Sequence, residues 1–446
     1  MSDFRWLKID TAAIMFSCLS TKKWGRTYRF SACFKEAVDP VYVEKACRDI
    51  MPDFPSVYAY LGKGFFWNYI ALSDLLPEIR EETDEGMLPV TLRKDKRPDF
   101  RLTYKANRLN IECSHSIGDG KGMLHYFTAL LERYNELKNG VTEKYICREN
   151  VAVNTDNSFS RYYDRGEKAK GDPVKAYHFA EKYIDGYTKL LFAEMSAEAV
   201  KNAAHKYGTT VTGYLTGVLM LGILRAINKP VYEPITVAVP VNLRRFFPSE
   251  SVRNFTVQTF VTFNPDGRTD ISLSDIIDET RGQLEAQTQK EALQKTINKY
   301  GVLVTNPVIR VVPNFIKSRV MKKLQLKTHA GVTTILTNSG VCELSEKLSN
   351  SVEKLQFVNG DTRGYGLAVT CSCITFKDVL SLCFSRANSD TVLYDACLEI
   401  LTDEGFTLRT EVIEGRSTGN ANSGKAIREK MSGEKLKAIF NTKIYK

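Results

Sequence analysis

A strand that ends on a histidine and yields at once to a capped helix is the feature that most constrains this sequence. Ile111-Glu112-Cys113-Ser114-His115-Ser116-Ile117-Gly118-Asp119-Gly120 carries an apolar strand into His115, with an aspartate four residues on and glycine next. From Asp119 to Lys138 the apolar positions Met123, Tyr126, Phe127, Leu130, Leu131, Tyr134 and Leu137 keep helical spacing. Asp119 is a natural N-cap and Asn139-Gly140 a natural stop. Histidine is the side chain best suited to take a proton near neutral pH, and the end of a strand fixes its backbone. Gly118 and Gly120 are expected to leave the approach to its ring open. Asp119 either orients His115 or caps the helix and pairs with a distant cation. A strand-to-helix turn aims residues i and i+4 differently from a continuous helix, which favours the second role. The competing reading makes His115 a structural histidine.

Other nucleophile patterns do worse. The sequence has no Gly-x-Ser-x-Gly elbow. Cys113 and His115 share one side of a strand, where side chains run parallel rather than toward each other. Gly118-Asp119-Gly120-Lys121-Gly122 lacks the spacing and the Lys-Ser/Thr ending of a phosphate loop. His125, His178, His205 and His329 have no metal-ligand spacing, so no metal is expected. The cysteines, Cys371 and Cys373 among them, read as core fillers in apolar runs.

Residues 25–36 alternate as a half-buried strand does, and 101–106 with 108–114 read as paired strands turning near Asn107. The short apolar run Thr11 to Leu19 also reads as a strand. Asp39-Pro40 opens a helix ending at Pro52. Helices are expected from Ser196 to Tyr207, Thr212 to Ile227, Asp270 to Lys299 and Thr391 to Thr402. Strands are expected at 235–239, 254–263, 332–337, 366–376 and 379–384, with Lys377-Asp378 as a tight turn. The polar stretch 148–175 reads as a surface linker. The aromatic cluster Phe65-Phe66-Trp67-Asn68-Tyr69 fits core packing or a channel wall, with Trp67 and Tyr69 as channel candidates.

At 446 residues the chain is long enough for two or three domains. The pattern predicts an α+β protein with an N-terminal domain over 1–150, a linker over 151–178, a C-terminal domain over 179–415 and a basic tail over 416–446. The tail reads as a frayed terminus, or as a partner-docking or phosphate-attracting arm. No window reaches the ~18 apolar residues of a membrane helix, and Met1 to Trp6 lack a secretion-signal pattern, so a cytoplasmic location is expected. The net charge of +10 suits an acidic partner: a nucleotide-bearing thioester, an acidic carrier protein or, ranked last, nucleic acid.

His115-Ser116-Ile117-Gly118-Asp119-Gly120 resembles the His-His-x-x-x-Asp-Gly motif of the thioester-dependent acyltransferases, which include chloramphenicol acetyltransferase, alcohol acetyltransferases and condensation domains. Val239-Pro240-Val241-Asn242-Leu243-Arg244-Arg245 is similar to that superfamily's strand ending in Pro and Arg, and Arg253-Asn254-Phe255 to the start of its next strand. Thr337-Asn338-Ser339-Gly340 and the 65–69 cluster resemble segments of the alcohol-acetyltransferase branch. Ser114 stands where many members carry the first histidine, and the plant-type Asp-Phe-Gly-Trp-Gly motif is absent.

The resemblance implies two pseudo-duplicated chloramphenicol-acetyltransferase-like α/β sandwich domains with mixed sheets and an interdomain tunnel. It implies acyl transfer, acetyl above all, from a CoA thioester to an alcohol or amine, with His115 as general base. Asp119 would pair with Arg244, and Gly120, Arg244 and Asn254 would support the site. Asn338 joins Trp67 and Tyr69 as a channel candidate. No bound cofactor is expected beyond acyl-CoA, or a pantetheinyl thioester, as co-substrate. The alternatives are a carrier-protein-dependent, condensation-like enzyme and a catalytically silent binding homologue. The chain carries no carrier or adenylation segment, which favours CoA.

Overall fold

The computed structural model describes residues 6–19, 26–83, 87, 90, 95–141, 143–171, 174–180, 183–184, 186–360, 367–416 and 444–445. The N-terminal part runs β1 (Trp6–Lys8), α1 (Thr11–Leu19), β2 (Thr27–Phe34), α2 (Pro40–Ile50), β3 (Ala59–Gly62), β4 (Tyr69–Leu72), β5 (Glu78–Glu81), β6 (Phe100–Lys105), β7 (Arg108–Ser114) and α3 (Gly120–Lys138). Short helices α4 (Val151–Asn154) and α5 (Ser158–Tyr162) lead to β8 (Tyr187–Ser196), α6 (Ala197–Lys206), α7 (Val211–Ile227), β9 (Ile235–Asn242) and β10 (Thr256–Phe263). Then come α8 (Leu273–Thr280), α9 (Gln283–Thr288), α10 (Lys290–Thr305), α11 (Pro307–Val311) and α12 (Asn314–His329). The chain continues through β11 (Thr334–Val341), α13 (Glu346–Ser351), β12 (Val352–Val358), β13 (Val369–Phe376), β14 (Val379–Arg386), α14 (Val392–Asp403), β15 (Leu408–Arg416) and β16 (Ile444–Tyr445).

Two mixed sheets carry the fold, in the order β12-β2-β7-β6-β5 and β10-β9-β11-β13-β14-β8-β15-β16; β1-β4-β3 form a small third sheet. In the first sheet only β5–β6 is parallel, and in the second β9–β11 and β11–β13 are. Although β12 lies late in the chain, it pairs with β2 and completes the sheet that carries β7. One face of that sheet buries Phe30, Leu102, Ile111 and Phe357 with α2 and α3. The larger sheet packs against α7 and α14 through Leu219, Ile223, Leu382 and Cys397.

The other face of the first sheet is charged, with Arg29, Arg101 and Glu112 buried and the outer members of the series half-buried. Arg29 and Arg101 both sit opposite Glu112 in the strand register, and both guanidinium groups bond its carboxylate. Arg29 also meets Glu82 at 2.7 Å, and Glu82 meets Arg108 at 2.7 Å. The series continues through Glu411 on β15 to Lys354 on β12, 2.6 Å apart, and on to Glu194 on β8 at 3.3 Å. Alternating charges therefore stitch the two sheets together. Burial raises a carboxyl's pKa, but Arg29 and Arg108 override it and hold Glu82 down at about 2. Burial acts likewise on Glu112, and Arg29 and Arg101 keep it below the usual range.

This network corrects the reading of β2 as a half-buried strand: every residue of β2 is buried. Its charged position, Arg29, meets carboxylates rather than water. Thr11–Leu19 is a helix, not a strand: Asp10 Oδ1 accepts from Ala13 N–H at 2.7 Å and caps it. The single helix expected over 270–299 is three, broken where Gly282 takes φ +79° and Gln289 takes ψ 140°. The 148–175 stretch runs over the surface for much of its length, with 164–168 exposed, but its first part is anchored in the protein. Phe159 packs edge-on against Phe255 at 5.3 Å, and Asn154 donates to the Asp53 carbonyl at 2.6 Å. The helices at 40, 197, 211 and 392, and the turn at Lys377-Asp378, fall where the pattern puts them. The sequence pattern assigns nothing to β8, α11, α12, β12 or β15. Most of the tail, including Leu436, Ile439 and Phe440, lies outside the described residues.

Replacing Glu112 by Gln leaves two buried arginines short of a charge, and we expect a loss of about 3–5 kcal/mol in urea unfolding. Glu82 has a lower pKa folded than its ordinary 4.5, so its stabilisation is complete above pH 4.5 and is lost as the pH falls toward 2. In Glu82→Gln the urea midpoint should lose part of its dependence on pH across that window.

Candidate active site

Beyond the end of β7 a serine turn carries the chain to the site. Ser116 N–H donates to Ser114 Oγ at 3.1 Å, and Ser116 Oγ donates to Asp99 Oδ2 at 3.0 Å. The two hydroxyls lie 2.7 Å apart, so Ser114 donates to Ser116. Ser114 thus stabilises this turn from the position of the resembled motif's first histidine. The Gly118 carbonyl accepts from the Tyr28 hydroxyl at 2.9 Å.

Gly118 has a different task from the one expected. A Cβ on Gly118 would lie 2.8 Å from the Val252 carbonyl oxygen, and one on Gly122 only 2.0 Å from it. Both glycines let the start of α3 seat against the backbone at 252. Gly118 therefore serves packing rather than access to the histidine ring. A Cβ on Gly120 would make ordinary contacts at 3.8 Å.

Asp119 ties this junction to the strand pair β9–β10. Its Oδ1 accepts from Gly122 N–H at 2.9 Å and so caps α3. Its Oδ2 accepts from Arg244 Nη1 at 2.9 Å, Phe255 N–H at 2.7 Å and the Thr256 hydroxyl at 2.8 Å. Burial would raise its pKa, but the Arg244 charge and the hydrogen bonds hold the carboxyl below the usual range. The remaining Arg244 donors bond Asn242 Oδ1 and the carbonyls of Ser251 and Arg253 at 2.5–3.1 Å. Asn254 donates to the His115 carbonyl at 3.0 Å and to Asp10 Oδ2 at 3.3 Å. Asp119, Arg244 and Asn254 thus come together around His115, and none of them is hydrogen-bonded to its ring.

The His115 ring lies between two aromatic rings: Phe16, stacked at 4.5 Å, and Tyr28, tilted at 4.4 Å. Its Nδ1 is buried without a hydrogen-bond partner. Burial, reinforced by the Arg26 charge and opposed by Asp119, pushes its pKa down to about 3. The imidazole is therefore neutral across the physiological range.

His115, Asp119, Gly120, Asn254 and Asn338 line a cavity of about 600 Å³ whose walls come from both halves of the chain. Asn338 donates to Thr212 Oγ1 at 3.1 Å and accepts from Gly340 N–H at 2.8 Å, where β11 shifts register. Trp67 and Tyr69 are not among the lining residues. The Trp67 ring meets the Lys317 ammonium 3.3 Å from its centroid, and Tyr69 lies over Gly62. Phe65 and Phe66 are 68% and 46% exposed, so the aromatic cluster is neither buried as a unit nor a channel wall. The sequence reading missed Phe16, Arg26, Tyr28 and Asp10. Asp10 three residues before Ala13 was the available signal, because it marks a helix start that brings Phe16 onto His115.

Residues 150–385 match the alcohol acetyltransferase family, and the chain belongs to that family. The matched span includes Arg244, Asn254 and Asn338 and begins after His115. No curated protein matches the sequence. Among solved structures, the fold is similar to TRI101 of F. graminearum complexed with ethyl coenzyme A (12% identity, 90% of this chain and 97% of that one, TM-score 0.60). It is also similar to polyketide synthase associated protein 5 from Mycobacterium tuberculosis (11% identity, 90% and 98%, TM-score 0.58). A third similar structure is the epimerization domain from the third module of tyrocidine synthetase B (12% identity, 91% and 97%, TM-score 0.56). The chain thus has the two-domain architecture of the chloramphenicol-acetyltransferase-like acyltransferases and condensation domains.

Removing either partner of the Asp119–Arg244 pair strands a buried charge. Arg244→Ala and Asp119→Asn should each cost about 3–5 kcal/mol in denaturant unfolding. The double variant should cost less than the sum of the two. Wild-type unfolding midpoints in both single variants would show that the pair does not hold the loop.

Proposed function

We propose that this chain transfers an acyl group from a CoA thioester to an alcohol hydroxyl, with His115 as the general base. The observation that carries this reading is a neutral, aromatic-clamped imidazole on the wall of a cavity large enough for a drug-sized ligand. Membership in the alcohol acetyltransferase family supports the donor and acceptor classes. TRI101 has been captured with coenzyme A and T-2 mycotoxin together, which supports a donor and an acceptor in one site. The net charge of +10 favours an anionic donor.

In this reading the imidazole takes the hydroxyl proton as the acceptor oxygen attacks the thioester carbonyl. The tetrahedral intermediate collapses, the C–S bond breaks, and the departing thiolate recovers the proton from the imidazolium. The new C–O bond replaces the C–S bond with no net change in protons. Asp119 acts through position: it holds α3 and the 251–256 segment, and with them the carbonyl anchor that Asn254 gives His115. General-base catalysis contributes typically ~10²–10⁴-fold.

Free-thiol release from a panel of acyl-CoAs, tested against pooled alcohols and amines, is the direct test. We expect release by the wild type and a loss of about 10²–10⁴-fold in His115→Ala with unchanged folding. Release from a loaded pantetheinyl carrier protein but not from CoA would move the donor assignment to a carrier. No release from either would favour a silent binding homologue.

The pH profile is a second, independent check. The base form of His115 exists above a pKa of about 3 and is lost only as the pH falls through that value. The kcat/KM profile should therefore show no acid limb near pH 6.5. Arg26→Gln removes one of the causes of the depression and should move the acid limb upward.

A further inference from the structure

The α11–α12 segment puts its apolar residues outside. On α12 the buried positions are Lys317, Gln325 and His329, while Phe315, Ile316, Val320 and Leu326 are 43–58% exposed. This inverts the usual burial order for a helix on a globular protein. Gln325 and His329 face the cavity, so its polar lining accounts for the inward face. The outward face needs its own explanation.

Adjacent surface extends the apolar area. Asn314 N–H donates to the Phe65 carbonyl at 2.7 Å, and Asn314 Nδ2 donates to Asn68 Oδ1 at 2.6 Å. These bonds fix the exposed Phe65–Phe66 pair beside the start of α12. Val308 and Val311 on α11 are a further 69% and 68% exposed. Among the described residues this is the largest run of exposed large hydrophobics, and such a patch marks an interaction site.

The charge along α11 and α12 has one sign. Residues 292–342 contain eight Lys and Arg and no Asp or Glu. Arg319, Lys322, Lys323 and Lys327 are exposed on α12 between the apolar side chains. Long basic side chains can lay their stems along an apolar surface and lift the charge to its edge. Aromatic and aliphatic side chains ringed by lysine and arginine suit a bilayer interface with anionic headgroups.

We propose that α11, α12 and the Phe65–Phe66 loop form a docking face for a membrane surface bearing anionic lipid. The face adjoins the cavity: Leu324 is 50% exposed and also lines the cavity, as do Met321 and Thr328. Docking would place the cavity rim at the lipid boundary. The proposal does not depend on acyl transfer, because partition is measured without turnover.

Co-sedimentation of the full chain with phosphatidylcholine vesicles, with and without phosphatidylglycerol, tests it. We expect binding to the phosphatidylglycerol vesicles that weakens with salt. Lys322→Glu/Lys323→Glu should weaken it by about tenfold or more, and Phe315→Ser/Val320→Ser should weaken it at every salt concentration. Both variants change exposed residues, and unchanged thermal unfolding checks that they fold. The basic tail is intact in both, so full retention of binding would move the interaction to the tail and overturn the proposal. Absence of vesicle binding would overturn it as well. So would a dimer in sedimentation velocity that Phe315→Ser/Val320→Ser abolishes, or salt-sensitive binding to an acidic carrier protein without vesicle partition.

Discussion

The site depends on one buried carboxylate with four donors. Asp119 caps α3 with one oxygen and gathers Arg244, Phe255 and Thr256 with the other. A lone buried carboxylate costs far more than a neutral polar group, so each donor is a requirement rather than an addition. Arg244 in turn gives three of its remaining hydrogen bonds to the 251–253 turn. That turn presents the Val252 carbonyl against Gly118 and Gly122, and Asn254 to the His115 carbonyl. The histidine therefore rests in a frame built by residues more than a hundred positions away in sequence.

A second set of charges does for the sheets what Asp119 does for the loop. Arg101, Glu112, Arg29, Glu82, Arg108, Glu411, Lys354 and Glu194 alternate in sign across the space between the sheets. Hydrophobic residues of the same volume could fill that space with equal or greater stability. The ion pairs add a constraint that apolar packing lacks, because a slip of one residue in the β2–β7 register would oppose Glu112 to the wrong partner.

The motif at His115 was legible because strand alternation, a helix cap and glycines coincide within ten residues. The Arg244 and Asn254 segments were legible only through resemblance, since nothing local in Leu243-Arg244-Arg245 points to Asp119. Elements with a strong period and clear caps, such as α3, α7 and the β13–β14 hairpin, were readable from pattern alone. The misreading of β2 has a simple cause: polarity does not always mean water. Arg29 looked like part of the wet face of a half-buried strand, yet Glu112 and Glu82 satisfy its charge inside the protein. The α1 error is different: nine mostly apolar residues fit a strand or a buried helix equally well, and only Asp10 separates them.

The late position of β12 has a consequence for how the chain is made. The sheet that carries His115 is incomplete until Val352–Val358 has been synthesised, more than two hundred residues after the histidine. At ordinary elongation rates that is a wait of roughly 10–50 s. During it, the β2 edge that β12 will cover has no strand to pair with. The nascent chain's exposure to aggregation is thus set by the order in which its strands are translated.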